Sequence, residues 1–73
     1  MITAKKLIKL GFERKEIQGQ EYYEKENYIL KSELGKWLIC SRHDGIITTT
    51  LFVIETEKEL EKHYKESTKK SLK

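Results

Sequence analysis

The sequence predicts an α+β fold in which a short N-terminal helix precedes an antiparallel β-meander of four or five strands and a C-terminal helix follows it. Helix-start signals stand near the two ends of the chain, the segment between them is rich in β-branched and aromatic residues, and single glycines divide that segment as turns would. Seventy-three residues make one domain. Helices at both ends of a meander most simply pack on one face of the sheet.

The first element is a two-turn helix with a signal at each end. Thr3 is the predicted N-cap, and Ile2 and Leu7 then stand at the two positions of a hydrophobic staple. Gly11 lies where a left-handed residue ends a helix, and Phe12 after it can close back on Leu7. Two turns of helix are not stable alone, so this helix must dock on the sheet.

The strands of the meander are predicted from β-branched and aromatic runs between turn signals. A two-residue turn after the second strand places Tyr23 opposite Leu30, with Tyr22 and Ile29 on the other face. The last two strands carry apolar residues on both faces. A strand of a sheet with one face in solvent should instead alternate apolar and polar residues. The second face is therefore either covered within the monomer or a contact surface. The predicted strands are Phe12–Ile17, Gln20–Lys25, Tyr28–Ser32, Trp37–Ser41 and Ile46–Ile54.

The second helix has the clearest start signal in the chain. Thr56 and Glu59 stand three residues apart, as the N-cap and the glutamate of a capping box do. The apolar stripe of this helix fades after Tyr64. We therefore expect the domain to span residues 1–68, and residues 69–73 to form a frayed basic tail.

Composition indicates a cytoplasmic protein. Charged residues make up 37% of the chain, but the signs nearly cancel and leave a formal net charge of +3. The single cysteine, Cys40, excludes an internal disulfide and fits a reducing compartment. The start of the chain does not resemble a signal peptide, and no apolar run approaches the roughly 20 residues of a membrane span.

The residues that carry catalytic or metal chemistry are sparse, so we expect no enzyme, no metal and no cofactor. Cys40 and His43 have the spacing of a ligand pair, but a structural zinc site usually needs more than one cysteine among its four ligands. A strand cysteine is more often a small buried apolar residue than a nucleophile. The glutamates lie in charge-rich surface stretches, and nothing in the pattern predicts the desolvated carboxyl group that acid–base catalysis needs.

The two-sided apolar strands favour a binding surface for another protein. The residues expected to contact that partner are Trp37, Leu38, Tyr22 and Ile29. Pairing between two copies of the chain, through the exposed edge or face of the sheet, stays open as a further hypothesis.

Nucleic-acid binding is the alternative function that the sequence supports. Aromatic residues of the strands, namely Tyr22, Tyr23, Tyr28 and Trp37, would stack bases on the open face of the sheet. Basic residues would contact phosphates: Lys5, Lys6, Lys9, Arg14, Lys31, Lys36 and Arg42. The glutamates of the central hairpin argue against this function, because they repel a phosphate backbone.

The chain as a whole resembles small uncharacterised proteins of phages and mobile elements. The resemblance is carried by Leu7-x-x-Leu10-Gly11-Phe12, the tyrosine-rich hairpin, the Trp37 strand and the closing Ile54-Glu55-Thr56-x-x-Glu59-Leu60-x-x-x-Tyr64. Some such proteins, anti-CRISPR proteins among them, inhibit host defence by binding a nuclease or its guide-RNA complex. The resemblance thus implies a non-enzymatic inhibitor whose partner is a defence nuclease or its guide-RNA complex. It also implies a location in the host-cell cytosol if a phage encodes the protein.

Overall fold

The computed structural model describes residues 2–72 and confirms the α+β fold. One antiparallel sheet holds all five strands in the order β1-β2-β3-β4-β5, so β1 and β5 are its two edges. In chain order the elements are α1 (Ala4–Lys9), β1 (Glu13–Ile17), β2 (Gln20–Lys25), β3 (Tyr28–Glu33), β4 (Lys36–His43), β5 (Ile46–Ile54) and α2 (Glu57–Thr68).

Four two-residue turns connect the strands, and both residues of each turn have positive φ. This is the conformation of type I′ turns, whose twist matches that of the flanking strands. Three of the turns have glycine at the second position, whereas the turn between β2 and β3 has Asn27 there. The predicted register of that hairpin is confirmed, with Tyr23 opposite Leu30.

Both predicted ends of α1 are confirmed. The backbone N–H of Lys6 donates to the side-chain oxygen of Thr3 at 3.1 Å. At the other end Gly11 has φ +99°, and the N–H of Phe12 donates to the carbonyl of Leu7 at 3.0 Å. This six-to-one bond is the Schellman ending, and the buried Leu7 and Phe12 supply its apolar contact.

The start of α2 is also as predicted. The N–H of Glu59 donates to the Thr56 hydroxyl at 3.1 Å, and that hydroxyl lies 3.3 Å from the Glu59 carboxylate. The helix therefore begins with its first free N–H groups partly satisfied by one side chain. It ends at Thr68, and the capping residue Lys69 has φ +63° and donates its N–H to the carbonyl of Lys65.

The core lies between the two helices and one face of the sheet. Aromatic rings from the strands and α2 meet edge to face there: Tyr28 with Tyr64 at 5.3 Å between ring centroids, and Tyr23 with Trp37 at 5.4 Å. The indole N–H of Trp37 donates to the carbonyl of Ile2 at 2.9 Å, which satisfies its only polar atom. The buried members of this core are Ile2, Leu7, Phe12, Tyr23, Tyr28, Leu30, Trp37, Ile54, Leu60, Tyr64 and Leu72.

The prediction of a frayed tail is wrong for the described end of the chain. Leu72 is only 4% exposed and belongs to the core. The ammonium group of Lys25 donates to the carbonyl of Leu72 at 3.4 Å, and Lys70 forms an ion pair with Glu26 at 3.0 Å. The left-handed turn at Lys69 directs the chain back onto the domain, so one isolated leucine after the helix finds a buried site.

Among residues 2–72, neither helix is long and apolar enough to cross a bilayer.

Candidate interaction surface

The strand register assigns each side chain to one of two faces of the sheet, because directly paired residues share a face. Tyr23, Leu30 and Trp37 belong to the face that the helices cover. Their neighbours along the strands therefore point to the opposite face. We call this opposite side, on which neither helix packs, the open face.

A half-buried apolar row crosses the open face from β2 to β5. Tyr22 pairs with Lys31, Lys31 with Leu38, and Leu38 with Val53. All four side chains are intermediate in exposure. The aliphatic stem of Lys31 therefore lies between apolar neighbours, while its ammonium group reaches Glu33 at 3.6 Å. This row places two of the predicted partner residues, Tyr22 and Leu38, on one surface.

The first three residues of the next row of the open face are buried, although no second layer covers them, and its fourth residue is exposed. Glu24 pairs with Ile29, Ile29 with Cys40, and Cys40 with Thr49. Ile29 is 1% exposed and Cys40 4% exposed. Neighbouring side chains of the same face must therefore provide the cover. Ile29, a third predicted partner residue, lies on the open face but beneath its surface.

Part of that cover comes from an ion pair that spans β3. The guanidinium of Arg42 on β4 donates to both carboxylate oxygens of Glu24 on β2, at 2.8 and 3.2 Å. Since β3 lies between these strands, the Arg42 side chain crosses it beside Ile29. The ammonium group of Lys15 binds the same carboxylate at 3.1 Å. The hydrogen bonds from Arg42, with help from Lys15, lower the pKa of Glu24 below its usual range.

The cysteine and histidine of the predicted ligand spacing do not meet. Cys40 belongs to the open face, and His43, three residues along the same strand, belongs to the other. Burial raises the pKa of the Cys40 thiol, whose sulfur lies 3.7 Å from the Thr49 hydroxyl. The described part of the chain contains no cluster of three metal-ligating side chains.

Trp37 does not share a surface with the other predicted partner residues. It is buried on the helix-covered face, whereas Leu38, Tyr22 and Ile29 belong to the open face. Its indole ring packs against Tyr23, and its N–H is bound within the core. The predicted role of Trp37 in partner binding stays a prediction.

The expectation that four aromatic side chains stack bases on the open face is wrong for three of them. Tyr23, Tyr28 and Trp37 are buried beneath the helices, and Tyr22 is left as the aromatic residue of the open-face rows. Aromatic residues in a small sheet fill the core first, because each buries a large apolar area.

Most of the basic residues predicted to contact phosphate lie beside carboxylates. Lys6 pairs with Glu57, Arg14 with Glu21 and Glu16, Lys31 with Glu33, and Arg42 with Glu24. Lys5, Lys9 and Lys36 take part in none of the ion pairs found among residues 2–72. Ion pairs therefore engage four of the seven predicted cations, and the register places Lys31, Lys36 and Arg42 together on the open face.

The edge strand β5 carries exposed apolar residues that were not predicted as site residues. Ile46, Leu51 and Phe52 are 69%, 98% and 53% exposed. The pairing with β4 shifts near Ile39, where the Thr50 hydroxyl donates to the Ile39 carbonyl at 2.7 Å. Leu51 lies in this bulge, where its side chain is almost fully exposed. A signal for this edge is present in the sequence, since Ile46–Ile54 is nine residues without a charge.

No family model, no curated protein and no solved structure matches this chain. The class of protein is therefore defined by the fold and the surface alone. It is a single α+β domain with a five-stranded antiparallel meander, covered by helices on one face.

Proposed function

We propose that this protein is a non-enzymatic protein-binding module that docks its partner on the open face. The observation that carries the proposal is the row of Tyr22, Leu38 and Val53, which lies half-buried on a face that neither helix covers. An apolar centre with a charged rim is the usual anatomy of a protein interface. The charged rim of the open face includes Lys15, Lys36 and Arg42, as the strand register places them.

A binding role also fits the state of the polar groups on this face. The Glu24 carboxylate accepts hydrogen bonds from two cations and has a lowered pKa, which suits a structural anion better than a general base. The raised pKa of the buried Cys40 thiol opposes a role as nucleophile. These groups support the surface rather than react on it.

The resemblance to small phage and mobile-element proteins supplies the partner class. We propose an inhibitor of a host defence nuclease, of the anti-CRISPR kind, that binds the nuclease or its guide-RNA complex in the host cytosol. This part of the proposal rests on the resemblance, and the half-buried apolar row of the open face supports it. The single cysteine is consistent with that compartment.

The test compares two aspartate substitutions in capture of a purified nuclease–guide complex. Leu38→Asp puts a charge at the centre of the apolar row, and Ile8→Asp puts the same charge on a half-exposed site of α1, away from the sheet. We expect Leu38→Asp to abolish capture and inhibition, while Ile8→Asp behaves as the unmodified protein. Circular dichroism and thermal unfolding are used to check that both variants fold. Equal capture by the two variants would show that the open face is not the docking surface.

Nucleic-acid binding remains the alternative, and one observation favours it. Lys5 and Lys9 lie one turn apart on α1 and have no carboxylate partner in the described structure, so both can reach a phosphate backbone. The test is fluorescence anisotropy with labelled RNA and DNA. Affinity that falls steeply between about 50 and 200 mM salt would support this function, because each neutralised phosphate releases counterions. Affinity that is absent, or insensitive to salt, excludes it.

A further inference from the structure

The two edges of the sheet are protected to very different degrees. Four of the five residues of β1 are charged, and charged side chains discourage pairing with another strand. The nine residues of β5 include no charge, no proline and no glycine. An unprotected edge of this kind offers its free backbone N–H and C=O groups to an extended strand. In a chain that is 37% charged, the neutral strand is a specific feature of this edge.

Only the first part of β5 is regular enough to pair with a further strand along its free edge. Residues 46 to 49 pair in step with β4, from Ile46 opposite His43 to Thr49 opposite Cys40. The bulge then interrupts the ladder, and the N–H of Phe52 donates to the Thr50 hydroxyl at 3.2 Å instead of to a neighbouring strand. An added strand therefore has an edge of about five residues, ending at Thr50.

We propose that two copies of this chain pair through β5, antiparallel, across a twofold axis at Thr48. In this register Thr48 faces its own counterpart, Ile46 faces Thr50, and Ile47 faces Thr49. Threonine pairs and pairs of β-branched residues stabilise antiparallel strands, and no like charges are brought together. The regular segment is used in full, and pairing stops at the bulge of each copy.

The exposed apolar side chains at the two ends of this segment make the edge self-complementary. Ile46 and Leu51 stand two residues before and three residues after Thr48. Across the twofold axis, Ile46 of one copy therefore lies opposite Thr50 of the other, next to the bulge that carries Leu51, and the reverse holds equally. A closed twofold interface requires this reciprocity. It covers part of the Ile46 side chain of each copy, which is 69% exposed in the monomer.

Pairing of this kind joins the two sheets into one of ten strands. Paired residues share a face, so the two open faces lie side by side on the same surface. If the proposed function holds, the dimer presents two docking rows to one partner or to two, and gains avidity. The dimer itself does not depend on the proposed function.

The first test measures mass against concentration by sedimentation equilibrium. We expect a reversible monomer–dimer equilibrium between about 5 and 500 μM, because dimerisation follows mass action. Thr48→Lys places two like charges face to face and should weaken the dimer at least about tenfold. The matched control is Ile17→Lys, which adds the same charge to an exposed site on the opposite edge and should leave the dimer unchanged. A monomer at all concentrations, or equal effects of the two variants, would overturn the proposal.

The second test checks the register in a Cys40→Ser background. Cβ atoms of directly opposite residues are about 4.5–5.5 Å apart, close to the roughly 3.5–4.5 Å of a disulfide. Thr48→Cys should therefore form an intermolecular disulfide under mild oxidation, at least about tenfold faster than Ile17→Cys. Equal rates would overturn the register even if a dimer forms. Partner capture by Leu38→Asp is read separately, so failure of the dimer and failure of the docking row are distinguishable.

Discussion

Arg42 and Glu24 form a two-bond ion pair across an intervening strand, with Nη2 to Oε1 at 2.8 Å and Nη1 to Oε2 at 3.2 Å. The carboxylate side chain is 10% exposed and the guanidinium side chain 38% exposed. Neither helix packs on this face, so the pair and its neighbours stand in for a second layer over Ile29. The pair links the stability of the sheet to the surface that we propose binds a partner.

Replacing Arg42 should therefore lower the free energy of unfolding more than replacing an arginine of a more exposed ion pair. We expect Arg42→Met to lower the free energy of unfolding by about 1–3 kcal/mol, because it leaves a mostly buried carboxylate with Lys15 alone. The control is Arg14→Met, whose pair with Glu21 has a short 2.7 Å contact but two half-exposed side chains. That change should lower the free energy of unfolding much less than Arg42→Met does, because solvent screens an exposed pair. Urea unfolding followed by Trp37 fluorescence measures both, and losses of equal size would contradict the structural role of Arg42.

The free energy of unfolding should also fall at acidic pH, because Glu24 becomes protonated there. The pKa of Glu24 is lowered in the folded protein, first by its hydrogen bonds to Arg42. A carboxyl group with a lowered pKa stabilises the fold above its unfolded pKa, about 4.3 for glutamate, and loses this contribution as the pH falls through the folded value. Unfolding measured from neutral pH down through this range should show the loss in the unmodified protein.

The matching variant is Glu24→Gln, which cannot titrate at this position. Its stability should be lower near neutral pH, and the difference from the unmodified protein should shrink as the pH falls below about 4. Glu21 also has a lowered pKa, caused by its hydrogen bond to Arg14. That pair is exposed, so high salt should screen its contribution more strongly than that of Glu24. A constant difference between the two proteins at every pH would count against the assigned role of Glu24.

The turn between β3 and β4 offers a stabilising substitution. Leu34 is the first turn residue, has φ +51° and is 95% exposed. A leucine in this left-handed region is strained, whereas asparagine accepts it readily and is favoured in type I′ turns. We expect Leu34→Asn to raise the free energy of unfolding by about 0.5–1 kcal/mol.

The control for this turn is the same change at an exposed leucine without a positive φ. Leu51 is 98% exposed and lies outside the left-handed turn positions, so Leu51→Asn should bring no gain in stability. Thermal unfolding at low protein concentration, where pairing between copies is minimal, compares the two variants. A gain of the same size at Leu51 would mean that lost surface hydrophobicity, and not the turn, explains the effect.

The C-terminal segment should contribute measurably to stability. Leu72 fills a core position, so Leu72→Ala should lower the free energy of unfolding by about 2–3 kcal/mol. The exposed Leu51 again provides the control, since Leu51→Ala removes the same atoms from water rather than from a core. That change should alter stability by less than about 0.5 kcal/mol. If both variants unfold at the same urea concentration, residues 69–72 do not pack as described.

Local signals account for the part of the fold that could be predicted. The caps at Thr3 and Thr56 and the left-handed Gly11 depend on neighbours within a few residues, and all three are confirmed. The hairpin register from Tyr23 to Leu30 followed from the length of one turn. Leu72 was missed because a single leucine beyond a fading stripe shows no periodicity, and its burial depends on a turn at Lys69 that brings it back to the sheet.

The candidate surface was only partly predictable for a related reason. Alternation along β4 separates Trp37 from Leu38, but the sequence does not say which face the helices cover. The pairing of Arg42 with Glu24 joins residues 18 apart in the chain and two strands apart in the sheet. Side-chain pairs of this kind leave no local pattern, because their geometry depends on the twist of the whole sheet.

The sequence by itself determined the α+β class, the positions of the turns and the caps of both helices, because these depend on backbone preferences of residues close along the chain. The tertiary structure alone decided which face of the sheet is covered, that Ile29 and Cys40 are buried on the open face, and that Leu51 projects from the bulged edge. Those outcomes depend on contacts between segments that are distant in the chain, above all on which face of the sheet the helices pack against.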